Sequence, residues 1–296
     1  MSVDRTRLHI ALQRSGRLSD LSRDLLREAG LRIESGKNSL TARAANFPAD
    51  LMFVRDDDIP TFVSDGACEF GIVGENVLEE AALGLAEPGF EVLARLGFGR
   101  CSLRLAAPER LPYDGPQSLT GQRIATSYPR LLRRFLDEQD VDAEVIEMKG
   151  AVELAPRLEI ATHICDLVST GATLEANGLR ALDTILDSQA VLIRTRKPVD
   201  PVRGEIAAQL VSRIEGVLAT KESKYIMLNA TSESLKRITA LLPGAEAPTI
   251  VPLHGRPGHF AVHAVCQESV FWETLQKLKA AGASAILVVP IEKMML

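Results

Sequence analysis

Toward residue 170 an apolar run gives way to Ser169, Thr170, Gly171, Ala172 and Thr173, before Leu174 and Glu175 open a helix-like stretch. Gly171 permits close approach to the backbone, and successive amides there can converge on one anion. The two threonines add hydroxyl donors beside the positive end of a helix. That chemistry suits a phosphate. The same residue types also cap helices routinely by accepting a first-turn amide, and the residues alone favour neither reading. Glu175 opposes an anion, and no lysine follows Gly171, so the stretch is not a P-loop.

Other junctions carry charge. "QRSGRL" places Arg14, Ser15, Gly16 and Arg17 after an apolar run, where cations and free amides could meet a polyphosphate. Solvent-facing arginines are the simpler account of it. "VRDDDIP" sets Arg55, Asp56, Asp57 and Asp58 at the end of another run, the place where open α/β sheets bind ligands. Those carboxylates could serve a metal or ribose hydroxyls, and at least one is expected to cap the following helix. In "GIVGEN", Gly74 and Glu75 repeat the device of a glycine at a strand end. Nucleophile chemistry has no support, because no GxSxG occurs. His254, His259 and His263 lack companion cysteines or carboxylates, so a zinc site is not indicated. Cys68, Cys101, Cys165 and Cys266 are widely separated and read as reduced structural thiols.

Strands and helices must alternate to present these junctions. Strands are expected at 7–12, 50–54, 68–74, 101–108, 122–129, 143–150 and 164–170. Helices are expected at 18–30, from Ile59, at 75–83, at 130–139, at 152–163 and at 205–220. Such alternation implies mostly parallel sheets, here in two α/β lobes, with "AVLIRTR" (190–196) returning the chain to the first. From residue 223 the pattern changes to βαββαβ, the ferredoxin-like plan. The expected division is residues 1–98 with 186–222 as lobe I, 99–185 as lobe II and 223–296 as a third domain.

The chain has 296 residues and a formal charge of -5, which argues against a nucleic-acid or anionic-membrane surface. No run reaches the roughly 18 apolar residues of a membrane span, and the N-terminus lacks a signal-peptide core. A cytoplasmic location is expected.

The segments "FVRDDDIP", "GIVGENVLEE", "RIATSYPRLL", "DLVSTGATLEANGL", "ESKYIMLNA", "LLPGAEAPTI" and "PIEKMML" resemble, in order and along essentially the whole chain, the long form of ATP phosphoribosyltransferase, the first enzyme of histidine biosynthesis. The resemblance implies two lobes like those of type II periplasmic binding proteins and a C-terminal ferredoxin-like regulatory domain. It implies the reaction of ATP with 5-phosphoribosyl 1-diphosphate to N1-(5-phosphoribosyl)-ATP and diphosphate, with Mg2+ carried mainly by substrate phosphates. It also implies feedback inhibition by L-histidine and homo-oligomers, dimers and hexamers.

Residue by residue, the resemblance places Ser169, Thr170, Gly171, Ala172, Thr173 and Leu174 around the 5-phosphate. Glu153 and Asp166 fall near the ribose, with Arg17 and Arg55 facing the polyphosphates. Arg14, Ser15, Gly16, Asp57, Gly74, Glu75 and Tyr128 line the nucleotide side, and Asn229, Thr249 and Ala285 would hold histidine. The rival class is a non-catalytic two-lobed binding or sensor protein for a phosphorylated metabolite; turnover separates the two.

Overall fold

In the computed structural model, which describes residues 6–36, 39–85, 87–221, 223–242, 247–267 and 271–294, the apolar run near the N-terminus forms β1 (Leu8–Gln13). It is the central strand of a seven-stranded sheet. Leu8, Ile10, Ala11 and Leu12 are withdrawn from solvent, as a strand covered on both faces requires.

Along the chain follow α1 (Arg17–Glu28), β2 (Ile33–Ser35), β3 (Thr41–Ala44), β4 (Ala49–Val54), α2 (Ile59–Ser64), β5 (Phe70–Gly74), α3 (Glu75–Ala82) and β6 (Phe90–Arg95). The second sheet uses β7 (Cys101–Pro108), β8 (Arg123–Thr126), β9 (Glu144–Glu147), β10 (His163–Val168) and β11 (Leu179–Ser188). α4 (Pro129–Glu138) lies between β8 and β9, and α5 (Ala172–Ala176) between β10 and β11. β12 (Ala190–Thr195) then rejoins the first sheet, and α6 (Pro201–Lys221) follows.

The first sheet runs β2-β3-β4-β1-β5-β12-β6 and the second β11-β7-β10-β8-β9. In the first, β4, β1 and β5 are parallel, and β12 is antiparallel to both β5 and β6. In the second, β9, β8 and β10 are parallel, and β7 is antiparallel to both β10 and β11. The two sheets therefore share one plan. Apart from the antiparallel β2–β3 hairpin that extends the first sheet beyond β4, each takes an antiparallel strand directly after the chain crosses from the other, through β6 to β7 and through β11 to β12. This is the two-lobed, type II periplasmic-binding-protein-like arrangement.

Packing follows the sequence pattern. Ala11, Val73 and Ile193 of the first sheet meet Ile59 and Val63 of α2 and Val77 of α3. In the second lobe Leu131, Leu132 and Leu136 of α4 pack on Leu103, Leu105, Ile124 and Cys165. Burial pushes the thiols of Cys68 and Cys165 up to about 12, so both are inert structural groups.

One expected element differs. Residues 152–163 are not a helix but a 3-10 turn at Val152–Leu154 followed by turns. Pro156 lacks an N–H, and Glu159 adopts a positive φ of 56°; both end regular helix. Of the three carboxylates, at least one of which is expected to cap α2, Asp58 stands at its N-cap without a side-chain cap hydrogen bond.

Contacts divide the chain into two compact units, residues up to Arg27 with Leu31–Ala207, and Glu28–Gly30 with Ala208–Leu296. Within the first, Glu69 is 3% exposed. It accepts a hydrogen bond from the His9 amide at 2.7 Å and another from Arg203, which also pairs with Asp200. This pins the first turn of α6 to the first sheet. Removing Glu69 leaves Arg203 with Asp200 alone and the buried His9 backbone N–H without its acceptor, at a cost of roughly 1–3 kcal/mol. Glu69→Ala is therefore expected to lower the melting temperature by several degrees, which calorimetry checks; an unchanged transition contradicts it.

The second unit holds β13 (Ser223–Thr231), α7 (Ser232–Leu241), β14 (Thr249–Pro252), β15 (His259–Gln267), α8 (Phe271–Ala280) and β16 (Ser284–Pro290). Its antiparallel order β14-β15-β13-β16 completes the ferredoxin-like βαββαβ plan. Thr231 and Ser234 form a capping box that starts α7. Ile226, Leu228 and Ala230 alternate along β13 toward a core with Val262, Ala264, Ile238 and Leu278, which leaves Tyr225, Met227 and Asn229 on the other face.

Candidate active site

Parallel strands deliver their following loops at their carboxyl ends, and two sets of such ends face each other here. Lobe I contributes the loops after β1, β4 and β5; lobe II contributes those after β8, β9 and β10. The loops after β1 and β4 are tied together by the Arg14 amide donating to the Val54 carbonyl at 2.8 Å.

A cleft of about 750 Å3 opens between the lobes, within the range of small-molecule sites. Arg55, Asp56 and Asp57 line it from lobe I, and Tyr128, Arg130 and Lys149 from lobe II. Asp166 and Asp56 both act electrostatically on the Tyr128 hydroxyl. Burial, then the charge of Asp56, pushes that phenol well above its ordinary pKa, so it stays neutral. Asp166 is itself held above the usual carboxylate range, by burial first and by the nearby charge of Glu153, against the bond its carboxylate accepts from the Leu167 amide at 2.8 Å. Asp56, Tyr128, Asp166 and Glu153 thus form one electrostatic neighbourhood.

A second cavity of about 420 Å3 lies where the chain crosses between lobes. Glu75, Arg95 and Arg100 line it together with Ser102 and Ser169. Glu75 is not a free carboxylate: Arg95 donates to it at 2.6 Å and 3.1 Å.

The loop after β10 has Gly171 at the N-cap of α5 with φ of 84°, and no side chain caps this helix. Ser169, Thr170 and Thr173 are exposed, so the capping alternative for these hydroxyls is not used. Glu175 is exposed too. Gly74 has a separate reason to be glycine. A Cβ there would lie 2.5 Å from Asn76 Oδ1, where no real Cβ sits.

Other expected site residues fall as follows. Arg14, Ser15 and Gly16 are exposed in the loop after β1, and the Arg17 side chain lies outside the described part of the structure. Thr249 is opposite His263, and His263 is opposite Met227, which places Thr249 on the same open sheet face as Asn229. Ala285 stands at the register shift between β13 and β16 with φ of 48°.

Residues not expected from the sequence also matter. Glu80 of α3 accepts the amides of Arg130 and Leu131, each at 2.9 Å, capping α4 from the opposite lobe. Asn76 donates to the Tyr128 hydroxyl at 2.9 Å. Neither partner is near in sequence, so only the fold brings them together.

Among the described residues, no group of three or more His, Cys, Asp or Glu is arranged to hold a metal ion. No helix of the described residues is long and apolar enough to cross a membrane.

Comparison with known proteins adds the identity of this architecture. Residues 55–216 match the family described as ATP phosphoribosyltransferase, and residues 220–293 match its C-terminal domain. An ATP phosphoribosyltransferase of Maricaulis maris (strain MCS10) is 54% identical over 291 residues, covering 98% of this chain and 99% of that protein. Among solved structures, the ATP phosphoribosyl transferase (HisG:HisZ) complex from Thermotoga maritima superposes with a TM-score of 0.58 at 25% identity. It covers 70% of this chain and 98% of that one. The chain belongs to the ATP phosphoribosyltransferase family.

Proposed function

We propose that this chain transfers the 5-phosphoribosyl group of 5-phosphoribosyl 1-diphosphate to N1 of ATP, giving N1-(5-phosphoribosyl)-ATP and diphosphate, the first step of histidine biosynthesis. The observation that carries the reading is the 54% identity along nearly the full chain.

Adenine N1 carries its own lone pair, so attack on the anomeric carbon needs little help from a base. The protein's tasks are to position two anionic substrates and to stabilise departing charge. Ser169 to Leu174 would hold the 5-phosphate through exposed amides and hydroxyls. Asp166, with Glu153 beside it, would stabilise positive charge developing on the ribose. Arg17 and Arg55 would face the polyphosphates, and Arg14, Ser15, Gly16, Asp57, Gly74 and Tyr128 the nucleotide. Glu75 would serve that wall through its pair with Arg95. Mg2+ prefers oxygen ligands and retains several waters; it would ride mainly on substrate phosphates, with Asp56 and Asp57 the cleft carboxylates fit to face it. Bound there, it supplies charge neutralisation for the leaving diphosphate.

Nuclear magnetic resonance of the product tests the reading. Transfer gives a new C1–N1 linkage on adenine, whereas free ribose 5-phosphate alone would mean hydrolysis and would overturn it.

The ferredoxin-like domain would bind L-histidine as feedback inhibitor, at Asn229, Thr249 and Ala285, and the enzyme would work in the cytoplasm as a dimer and hexamer. A hydrogen bond to a charged ligand is worth roughly 1.5–3 kcal/mol, so Asn229→Ala is expected to raise the half-inhibitory histidine concentration tenfold or more, as order of magnitude. An inhibition curve identical to that of the unaltered chain would place the effector elsewhere.

A further inference from the structure

Three side chains distant in sequence form a hydrogen-bonded chain at the crossing between lobes. The Asn76 backbone N–H donates to Ser188 Oγ at 3.0 Å, and the Ser188 hydroxyl donates to the carboxamide oxygen Asn76 Oδ1 at 2.8 Å. Asn76 Nδ2 then reaches the Tyr128 oxygen at 2.9 Å. Asn76 and Ser188 are 4% and 6% exposed.

The direction of every proton follows from these pairs. A carboxamide nitrogen donates and never accepts. Turning the Asn76 amide over would point two donors at Ser188 Oγ and leave that buried hydroxyl without an acceptor for its own proton, which is costly. The amide therefore stays as it is, and the Tyr128 oxygen accepts. Its own O–H remains to donate. Among the described residues no second partner takes that proton, and Tyr128 lines the cleft, with Asp56 and Asp166 the charged groups facing it. Gly74 belongs to the same device, because any Cβ there would displace the Asn76 Oδ1 that Ser188 holds.

We propose that Asn76 and Ser188 are positioning residues that commit the Tyr128 hydroxyl to donate a hydrogen bond into the cleft, to an acceptor atom of the bound nucleotide. The inference rests on the transferase reading for the identity of that nucleotide. Asn76 does not touch substrate; it acts through Tyr128.

Asn76→Asp supplies the test. At a pH that keeps it ionised, a carboxylate of the same shape can only accept, so it draws the Tyr128 proton away from the cleft. Full-length protein labelled with 13C at tyrosine Cζ contains three such carbons, and Tyr128→Phe assigns one of them. Adding ATP with Mg2+ is expected to shift the Tyr128 signal in the unaltered chain and to leave it unmoved in Asn76→Asp. In kinetics, Asn76→Asp and Tyr128→Phe should each raise KM for ATP roughly tenfold, the scale of one hydrogen bond. KM for phosphoribosyl diphosphate should not move, and the double variant should be no worse than either single one. Ser188→Ala, which frees the amide to turn, should give a smaller rise in the same KM. It also serves if Asn76→Asp fails to fold.

Additive losses, or a Tyr128 signal indifferent to ATP that calorimetry shows is bound, would overturn the proposal. A shifted signal without turnover would uphold the donor and sink the transferase reading, so the two failures are distinguishable.

Discussion

Asp166→Asn is expected to lower kcat by about two orders of magnitude, the scale of losing one electrostatic stabiliser of a transition state, and at the same time to make the protein more stable at neutral pH. Both halves come from one cause. Burial, reinforced by Glu153, holds the Asp166 carboxyl above the usual carboxylate range. The folded protein thus binds this proton more tightly than the unfolded chain, so stability falls as pH rises from the ordinary Asp value through the folded one. At neutral pH the ionised group is a liability to folding. Asparagine removes the charge and keeps the shape. Activity runs the other way, because only the carboxylate can stabilise a cationic ribose. The acid limb of kcat/KM should therefore lie above the pH at which an exposed aspartate titrates, and it should vanish in the variant. Melting curves and pH–rate profiles check the pair; a less stable Asp166→Asn with full activity contradicts it.

Gly171→Val is expected to weaken phosphoribosyl diphosphate binding by about a hundredfold, comparable to the loss from a small misplacement of a binding group, while hardly moving the melting temperature. The reason is backbone conformation and not crowding. Gly171 has φ of 84° and nothing lies within 4 Å of where its Cβ would be. A side chain there meets open space, yet an L-residue in the left-handed region costs roughly 1–2 kcal/mol, and a β-branched one is worse placed still. The loop would relieve that strain by turning its amides away from the phosphate. Affinity should rank glycine above asparagine, which tolerates this region, then alanine, then valine. Isothermal titration across the four decides, and equal affinity for glycine and valine would refute the loop's role.

The fold was legible where burial and periodicity coincide. β1 and β5 are continuous apolar runs because both faces are covered, and α4 carries its leucines at helical spacing toward the second core. β6 and β11 gave no such signal. Both are edge strands, half-buried in irregular alternation, and β11 pairs with β7 through two register shifts. The short β2–β3 hairpin has too few residues to show a period. At 152–163 helical spacing misled because Pro156 and the positive φ at Glu159 outweigh it.

For the site, strand-end glycines and charges mark the loops at the carboxyl ends of parallel strands, where open α/β sheets expose them, and Arg55, Asp56, Asp57 and Tyr128 line the cleft. What those side chains touch was not readable. Glu75 is engaged by Arg95, Glu80 caps a helix of the other lobe, and Asn76 meets Ser188 from 112 residues away. Such pairings depend on how two crossing strands set the lobes, which no local pattern encodes.

Diphosphate release is the most direct measure of the central claim. With Mg2+ present, the account predicts steady release when ATP and 5-phosphoribosyl 1-diphosphate are supplied together, and none above background with either alone. Binding of both substrates without release, or release that does not depend on ATP, would contradict it.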